Sequence, residues 1–302
     1  MVTRAAQRRS RRIRFGISLA VTSALTLAAV ALGTNATALL RSDSRPTPRV
    51  VADPIPPLAG NPPTLRMVSA GDSVGLTVAE GLRRVGGLQG DTIMGGAFLG
   101  CGLEPAGQTF FRPDRLDVAP DGCPDWQDHW PTIAAEAHAN VAVFLGGTWD
   151  MFDRYINGQW LDFDTPASDQ LLSSLLDTMI DGFARQGTAV ALLTMPYQSS
   201  IGQEVQVPVY RSSVDIPRVN HWNALLRAAA ARHPTEAEVI DLNGFASPGG
   251  YTDSLDGVDP FRGDGTHFTD AGADLVATWL LPRLEQVATL AAPIAATAPA
   301  PA

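Results

Sequence analysis

The chain has 302 residues, of which 45% are hydrophobic and 18% are charged, which suits one globular domain with flanking segments. All 22 basic residues are arginine. Residues 51–302 hold 13 arginines against 30 acidic residues, and a surface this acidic argues against a nucleic acid as partner.

The N-terminal residues have the pattern of an export signal or a membrane anchor. Six arginines lie between Arg4 and Arg14, and residues 15–40 then carry no charge. This uncharged run is longer than the core of a cleavable signal and is long enough to cross a bilayer as a helix. Small residues at 34–38 also provide sites for cleavage. We predict that residues 1–41 place the rest of the chain outside the cytoplasm, either as an anchor helix in the membrane or as a cleaved signal.

Two low-complexity segments flank the predicted domain. Residues 42–63 contain seven prolines, a density that favours a semi-rigid linker. Residues 289–302 are almost wholly alanine, proline and threonine, which is typical of a disordered tail. The folded domain is therefore predicted at residues 64–288.

Within this domain, short apolar runs alternate with stretches of helical periodicity. Such alternation is typical of an α/β fold, in which a parallel sheet carries helices on both faces. The functional residues of these sheets gather at the carboxyl ends of the strands. In chain order we predict a strand at 66–70, a helix at 74–85, a strand at 140–145, a helix at 171–185, a strand at 188–194, a helix at 219–233, a strand at 238–242 and a helix at 269–287.

Cys101 and Cys123 are the only cysteines of the chain. In an exported protein an isolated pair favours a disulfide, and no neighbouring residues complete a set of metal ligands. Closing this loop would stabilise the fold by about 3 kcal/mol. Two buried free thiols are the alternative.

The first chemical motif is Gly71-Asp72-Ser73-Val74-Gly75, at the junction of the first strand and the first helix. A serine here presents its hydroxyl at the edge of the sheet, beside the free N–H groups of a helix start. The motif also matches the nucleophile elbow of α/β-hydrolases, but that elbow follows several strands and only one precedes Ser73. We reject that match. A serine that merely caps the helix is the alternative.

The second motif is Asp264-Gly265-Thr266-His267, directly before the last helix. An aspartate three residues before a histidine can hold one ring nitrogen while the other nitrogen faces a nucleophile. Gly265 supplies the backbone freedom that such a turn needs. Together with Ser73, this motif predicts a serine nucleophile, a histidine base and an orienting carboxylate.

The two motifs resemble the first and last sequence blocks of the SGNH (GDSL-like) hydrolases, and almost the whole domain lies between them. The resemblance implies a three-layer α/β/α, flavodoxin-like fold with a parallel sheet. It also implies that Ser73 is the nucleophile, His267 the general base and Asp264 its orienting partner. The sequence offers no cofactor motif and no set of metal ligands, so we expect neither a cofactor nor a metal. The oxyanion hole would use the backbone N–H groups of Ser73 and Gly100.

One block departs from the family pattern. Where the family has Gly-x-Asn-Asp, this chain has Gly147-Thr148-Trp149-Asp150, and an indole has a single N–H in place of an amide. We predict that Trp149 and Asp150 contact the substrate, with a buried core aromatic as the alternative for Trp149. Trp149-Asp150, with Gly100-Cys101 before it, is similar to the corresponding motifs of the SGNH domains attached to membrane acyltransferases of envelope polysaccharides.

The sequence therefore predicts an exported serine esterase or O-acyltransferase that acts on O-acyl esters, such as acetyl groups, of cell-envelope glycans. A catalytically inactive glycan-binding module that retains the fold is the alternative. The other candidates are weaker, because four histidines lack metal-ligand spacing and three aspartates before the second motif suit a solvated loop better than a calcium site. These residues are His129, His138, His221, His233, Asp253, Asp256 and Asp259.

Overall fold

Strands and helices alternate along the domain in the computed structural model, which describes residues 62–104, 108–109, 125–156, 158–199 and 214–295. In chain order the elements are β1 (Arg66–Gly71), α1 (Ser73–Gly87), β2 (Thr92–Met94), β3 (Gln108–Thr109), α2 (Trp126–Glu136), β4 (Val141–Leu145), β5 (Arg154–Ile156), β6 (Gln159–Leu161), α3 (Pro166–Ala184), β7 (Ala189–Leu193), α4 (Ile216–Arg232), β8 (Ala237–Ile240), α5 (Leu242–Ala246) and α6 (Asp270–Ala295).

The central sheet has five parallel strands in the order β2-β1-β4-β7-β8. Every residue of β4 and β7 is buried, because these strands lie inside the sheet and are covered on both faces. Their sequences are accordingly continuous apolar runs. All five strands end at the same edge, so the segments that follow them lie together.

Helices cover both faces of this sheet. Helix α1 packs on α6, whereas α3 packs on both α2 and α4. Along the sheet, β2 lies on one side of β1, and β4, β7 and β8 follow in turn on the other side. Because crossovers between parallel strands are right-handed, α1 lies on one face of the sheet and α3 and α4 lie on the opposite face. The predicted three-layer α/β/α fold with a parallel sheet is confirmed.

Several elements differ from the sequence-based expectation. Helix α2 was not predicted, and it forms around Pro131 because Trp126, Trp130 and Ile133 bury their side chains in the core. Strands β3, β5 and β6 form a second, antiparallel sheet. Helix α3 begins five residues earlier than expected, because the Thr165 hydroxyl caps it by accepting from the N–H of Ser168.

The last helix is longer than predicted. It continues to Ala295, and its residues Ala288 and Ala291 are buried against the core. The predicted start of the tail at residue 289 therefore falls inside α6, because small alanine side chains allow this end of the helix to pack closely. Residues 296–302 lie outside the described residues.

The predicted anchor at 1–41 and nearly all of the predicted linker at 42–63 also lie outside the described residues. Among the helices that the structure does describe, none has both the length and the apolar character required to cross a membrane.

Candidate active site

Ser73 lies at the carboxyl end of β1, as the first residue of α1. The chain passes so close to the neighbouring strand that a Cβ on Gly71 would lie 2.0 Å from the carbonyl oxygen of Leu145, and Gly71 has a φ of +118°. Asp72 then caps the helix, with its Oδ1 accepting from the N–H of Val74 at 2.9 Å. These contacts place the Ser73 side chain at the edge of the sheet.

The Asp-x-x-His motif forms a tight turn immediately before α6. The Oδ1 atom of Asp264 accepts from the backbone N–H of Thr266 at 2.9 Å and from that of His267 at 2.7 Å. Gly265 has a φ of +79°, as the turn requires. The turn therefore holds the carboxylate and the imidazole ring on the same side of the backbone.

The structure brings the two motifs together. His267 Nε2 lies 2.8 Å from Ser73 Oγ, and His267 Nδ1 lies 2.6 Å from Asp264 Oδ2. An ionised carboxylate can only accept, so Nδ1 carries the proton of the neutral ring. Nε2 is then left to accept the Ser73 hydroxyl, the arrangement that transfers a proton from serine to histidine.

The pKa shifts of Asp264 and His267 support the role of His267 as the base. Partial burial would raise the pKa of Asp264, but hydrogen bonds from the His267 ring and from two backbone N–H groups outweigh it and hold the pKa below its usual range. The hydrogen bond to Asp264 raises the pKa of His267 above 6.5, against the opposing effect of burial. The site thus stabilises the imidazolium that forms when the Ser73 proton is taken.

The backbone around Ser73 suits an oxyanion hole. The Ser73 N–H donates to no other described residue, as is usual at the start of a helix. The loop that carries Gly100 is fixed beside it, because the N–H of Phe98 donates to the carbonyl of Gly71 at 3.0 Å. The contribution of Gly100 stays a prediction.

Trp149 and Asp150 occupy different environments. Trp149 is half-buried, and its ring packs edge-on against Phe152 with centroids 5.9 Å apart. Asp150 is only 1% exposed, its Oδ1 accepts from the N–H of Leu103 at 2.7 Å, and burial raises its pKa to about 7. Asp150 therefore holds the segment that follows Cys101 by this hydrogen bond, and its contact with the substrate stays a prediction.

Sequence reasoning missed three polar residues behind the site. The Oδ2 atom of Asp72 accepts from the N–H of Thr148 at 3.1 Å, and burial raises the pKa of Asp72. Gln198, in the loop after β7, donates to the Thr148 hydroxyl at 3.3 Å and accepts from the hydroxyl of Thr266 at 3.5 Å. No local motif marks Gln198, because its partners lie in distant segments of the chain.

Two of the weaker sequence candidates are paired with carboxylates. His221 contacts Asp169 at 2.6 Å and His233 contacts Asp177 at 3.1 Å. Across the described residues no three His, Cys, Asp or Glu side chains come together as metal ligands.

Cys101 is buried and takes part in a disulfide bond. Its predicted partner, Cys123, lies outside the described residues. The pairing of the two cysteines therefore stays a prediction.

Comparisons with known proteins found similar solved structures and one matching family model. Solved structures similar to this chain include an acetyl xylan esterase, with 15% identity, coverage of 72% of this chain and 98% of the other, and a TM-score of 0.46. Another is a GDSL-like lipase from Bacteroides thetaiotaomicron, with 13% identity, coverage of 73% of this chain and 87% of the other, and a TM-score of 0.43. A third is an acetylxylan esterase from Geobacillus stearothermophilus, with 12% identity, coverage of 72% of this chain and 93% of the other, and a TM-score of 0.43. No curated protein matches the chain in sequence. The family model of the SGNH domain that is fused to AT3 domains matches residues 42–282, so the chain belongs to this SGNH family.

Proposed function

We propose that this protein is an exported serine esterase or O-acyltransferase whose substrates are O-acyl esters of cell-envelope glycans. The observation that carries the proposal is the hydrogen-bonded chain from Ser73 Oγ through both nitrogens of His267 to Asp264, with distances of 2.8 and 2.6 Å. Membership of the SGNH family supports hydrolase chemistry, and the attachment of such domains to acyltransferases supports an extracytoplasmic setting.

In the proposed reaction, the Ser73 hydroxyl attacks the ester carbonyl while His267 Nε2 takes its proton. The backbone N–H groups of Ser73 and Gly100 bind the oxyanion. When the tetrahedral intermediate collapses, the imidazolium returns the proton to the departing alcohol, which leaves an acyl group on Ser73. Water then releases the acid, or a sugar hydroxyl receives the acyl group.

A polar cleft at the same edge of the sheet supports a glycan as the substrate. The cleft has a volume of about 630 Å³ and lies beyond the ends of β7 and β8. Amides, a carboxylate and a phenol can pair with the hydroxyl groups of a sugar, which both donate and accept. Neither Ser73 nor His267 lines this cleft. β8 is the third strand from β1, about 14 Å away at about 4.8 Å per strand, so only a substrate longer than a single sugar could reach both Ser73 and the cleft. The polar lining includes Tyr197, Asn220, Arg227, Asp241 and Asn243.

The cleft can be tested by comparing two substrates. Asn220→Ala removes an exposed amide that accepts from the Tyr197 hydroxyl at 2.7 Å. We expect a lower kcat/KM on an O-acetylated oligosaccharide and an unchanged value on a short aryl acetate, which is too small to reach the cleft. Equal values for wild type and variant on both substrates would remove the cleft from the proposal.

The catalytic proposal is tested with the full chain, a short-chain aryl acetate and a fluorophosphonate probe. Ser73→Ala and His267→Ala should each lower hydrolysis by at least about 10³, and Ser73→Ala should abolish labelling. Ser174→Ala, an exposed serine on α3, is the matched control and should retain both activities. Hydrolysis that survives both substitutions would refute the assignment of Ser73 and His267.

A second function is favoured by one observation. Trp149 stands where the family has asparagine, and loss of an oxyanion donor can cost about 10²–10³ in rate. This departure favours a module that binds envelope glycans without catalysis. Binding of an acetylated oligosaccharide with neither turnover nor labelling of Ser73 would select that function.

A further inference from the structure

Gln198 connects the two halves of the candidate active site. We propose that it is a positioning residue, which holds the turn carrying His267 at the correct place relative to Ser73. This inference rests on the proposed function, because it concerns the proton transfer between the same two side chains.

One end of the Gln198 amide reaches the start of α1. The side chain is buried, and its Nε2 donates to the Thr148 hydroxyl at 3.3 Å. The N–H of Thr148 donates to Asp72 Oδ2 at 3.1 Å, and Asp72 caps the helix that begins at Ser73. The donor end of Gln198 is therefore linked to the segment that presents the nucleophile.

The other end of the amide reaches the Asp-x-x-His turn. The Thr266 hydroxyl donates to Gln198 Oε1 at 3.5 Å, and the next residue of the loop, Ser199, donates its N–H to the carbonyl of Gly265 at 2.9 Å. Thr266 immediately precedes His267. The acceptor end of Gln198 is therefore linked to the segment that presents the base.

The loop that carries Gln198 is itself held firmly. The side chain of Asn223 accepts from the N–H of Met195 at 2.7 Å and donates to its carbonyl at 3.0 Å. Asn243 accepts from the N–H of Tyr197 at 3.0 Å, and the buried Arg262 donates to the Tyr197 carbonyl. Since the flanking residues are fixed on several sides, Gln198 can act as a rigid spacer.

This arrangement matters because Ser73 and His267 come from opposite ends of the domain. An amide is suited to link them, since it donates at one end and accepts at the other. A displacement of about 1 Å between reacting groups can cost about 10² in rate. We therefore expect loss of the Gln198 bonds to lower kcat by about 10- to 100-fold, with KM unchanged because the Gln198 side chain is buried.

The test uses the full chain and three single variants. Gln198→Met keeps the length of the side chain and removes both hydrogen bonds, and Thr266→Val removes the bond from the other partner. Thr188→Val is the control: this buried hydroxyl donates to the carbonyl of Ala139 at 2.9 Å, before the amino end of β7. For each variant we would measure the melting temperature, kcat and KM for an aryl acetate, and the rate of fluorophosphonate labelling.

We expect the first two variants to lose kcat and labelling rate per folded molecule, and Thr188→Val to lose stability alone. The double variant of Gln198→Met and Thr266→Val should lose no more than Gln198→Met by itself, because both changes break the same bond. An unchanged kcat in Gln198→Met, an equal loss in Thr188→Val, or losses that multiply in the double variant would overturn the proposal.

A measurement without catalysis separates this inference from the proposed function. The proton that His267 Nδ1 shares with Asp264 should give a low-field NMR signal in wild type and in Thr188→Val. In Gln198→Met this signal should shift or broaden. If the wild type hydrolyses no ester, the proposed function fails and this signal alone decides the inference, which an unaltered signal in Gln198→Met would overturn.

Discussion

Asp264→Asn is the substitution that best separates orientation of the base from folding of the turn. The Oδ1 atom of Asp264 accepts from the backbone N–H groups of Thr266 and His267, and an asparagine oxygen can keep both bonds. The Oδ2 atom accepts from the His267 ring at 2.6 Å, and there the variant would place an NH₂ group. The neutral ring would then carry its proton on Nε2 and could no longer accept the proton of Ser73.

The expected loss of kcat in Asp264→Asn follows from these contacts. A histidine held in the wrong tautomer can cost about 10⁴ in kcat where the carboxylate is fully buried. The Asp264 side chain is 41% exposed, so water can replace part of its role, and we expect a smaller loss of about 10²–10³. Because the bonds from both backbone N–H groups survive, the free energy of unfolding should change by less than about 1 kcal/mol.

The pH dependence gives a second readout. In wild type, kcat/KM should rise as His267 loses its proton, with an apparent pKa above 6.5, because the bond to Asp264 raises the pKa of the ring. Asp264→Asn should move this limb to lower pH. The raised pKa of His267 also stabilises the fold below 6.5, and this contribution is lost as pH rises through the folded-state pKa. In Asp264→Asn the free energy of unfolding should not show this decrease with rising pH.

The assays are aryl acetate hydrolysis across pH and thermal unfolding at matched pH values. Asp274→Asn is the control, because its side chain is 42% exposed and pairs with Arg84 at 2.7 Å, on the outside of α6. It should leave kcat and the pH profile unchanged. A kcat for Asp264→Asn within about threefold of wild type, or an acid limb that does not move, would refute the assigned role of Asp264.

Three other predictions concern the surroundings of the site. Trp149→Phe should keep the melting temperature and lower kcat if the ring lines the site, whereas loss of about 1 kcal/mol of stability with kcat intact would show a core residue. The mass of the unreduced protein should be about two units below that of the reduced protein if Cys101 is bonded to Cys123; alkylation of both thiols without reduction would contradict the bond. Gly71→Ala should unfold the domain or cost at least about 2 kcal/mol, because its Cβ would overlap the Leu145 carbonyl, and a normal melting curve would contradict this.

The sequence predicted those parts of the molecule whose signal is local. β4 and β7 were found because a strand buried on both faces is a continuous apolar run. Ser73 and the Asp264–His267 pair were found because each lies within a short motif. Their meeting in one site was implied by the resemblance to the SGNH hydrolases, whose first and last sequence blocks they match.

Other parts had no local signal. Strands β3, β5 and β6 have two or three residues each, too few to show a period. Helix α2 was hidden by Pro131, which lacks an N–H for the turn before it and so suggests a break. The role of Gln198 depends on three segments that meet only after the sheet has formed, and no spacing in the chain encodes it.

The contacts of the Trp149 loop decide how its departure from the family pattern is interpreted. The backbone of Trp149 is held by Arg154, which donates to its carbonyl and pairs with the buried Glu104. The next residue, Asp150, is anchored by the N–H of Leu103. The loop therefore keeps its shape without help from the indole ring, so Trp149→Asn should test chemistry more than folding. If that change raises hydrolysis, the native ring restrains the attack of water on the acyl-enzyme, which would favour transfer of the acyl group to a sugar hydroxyl.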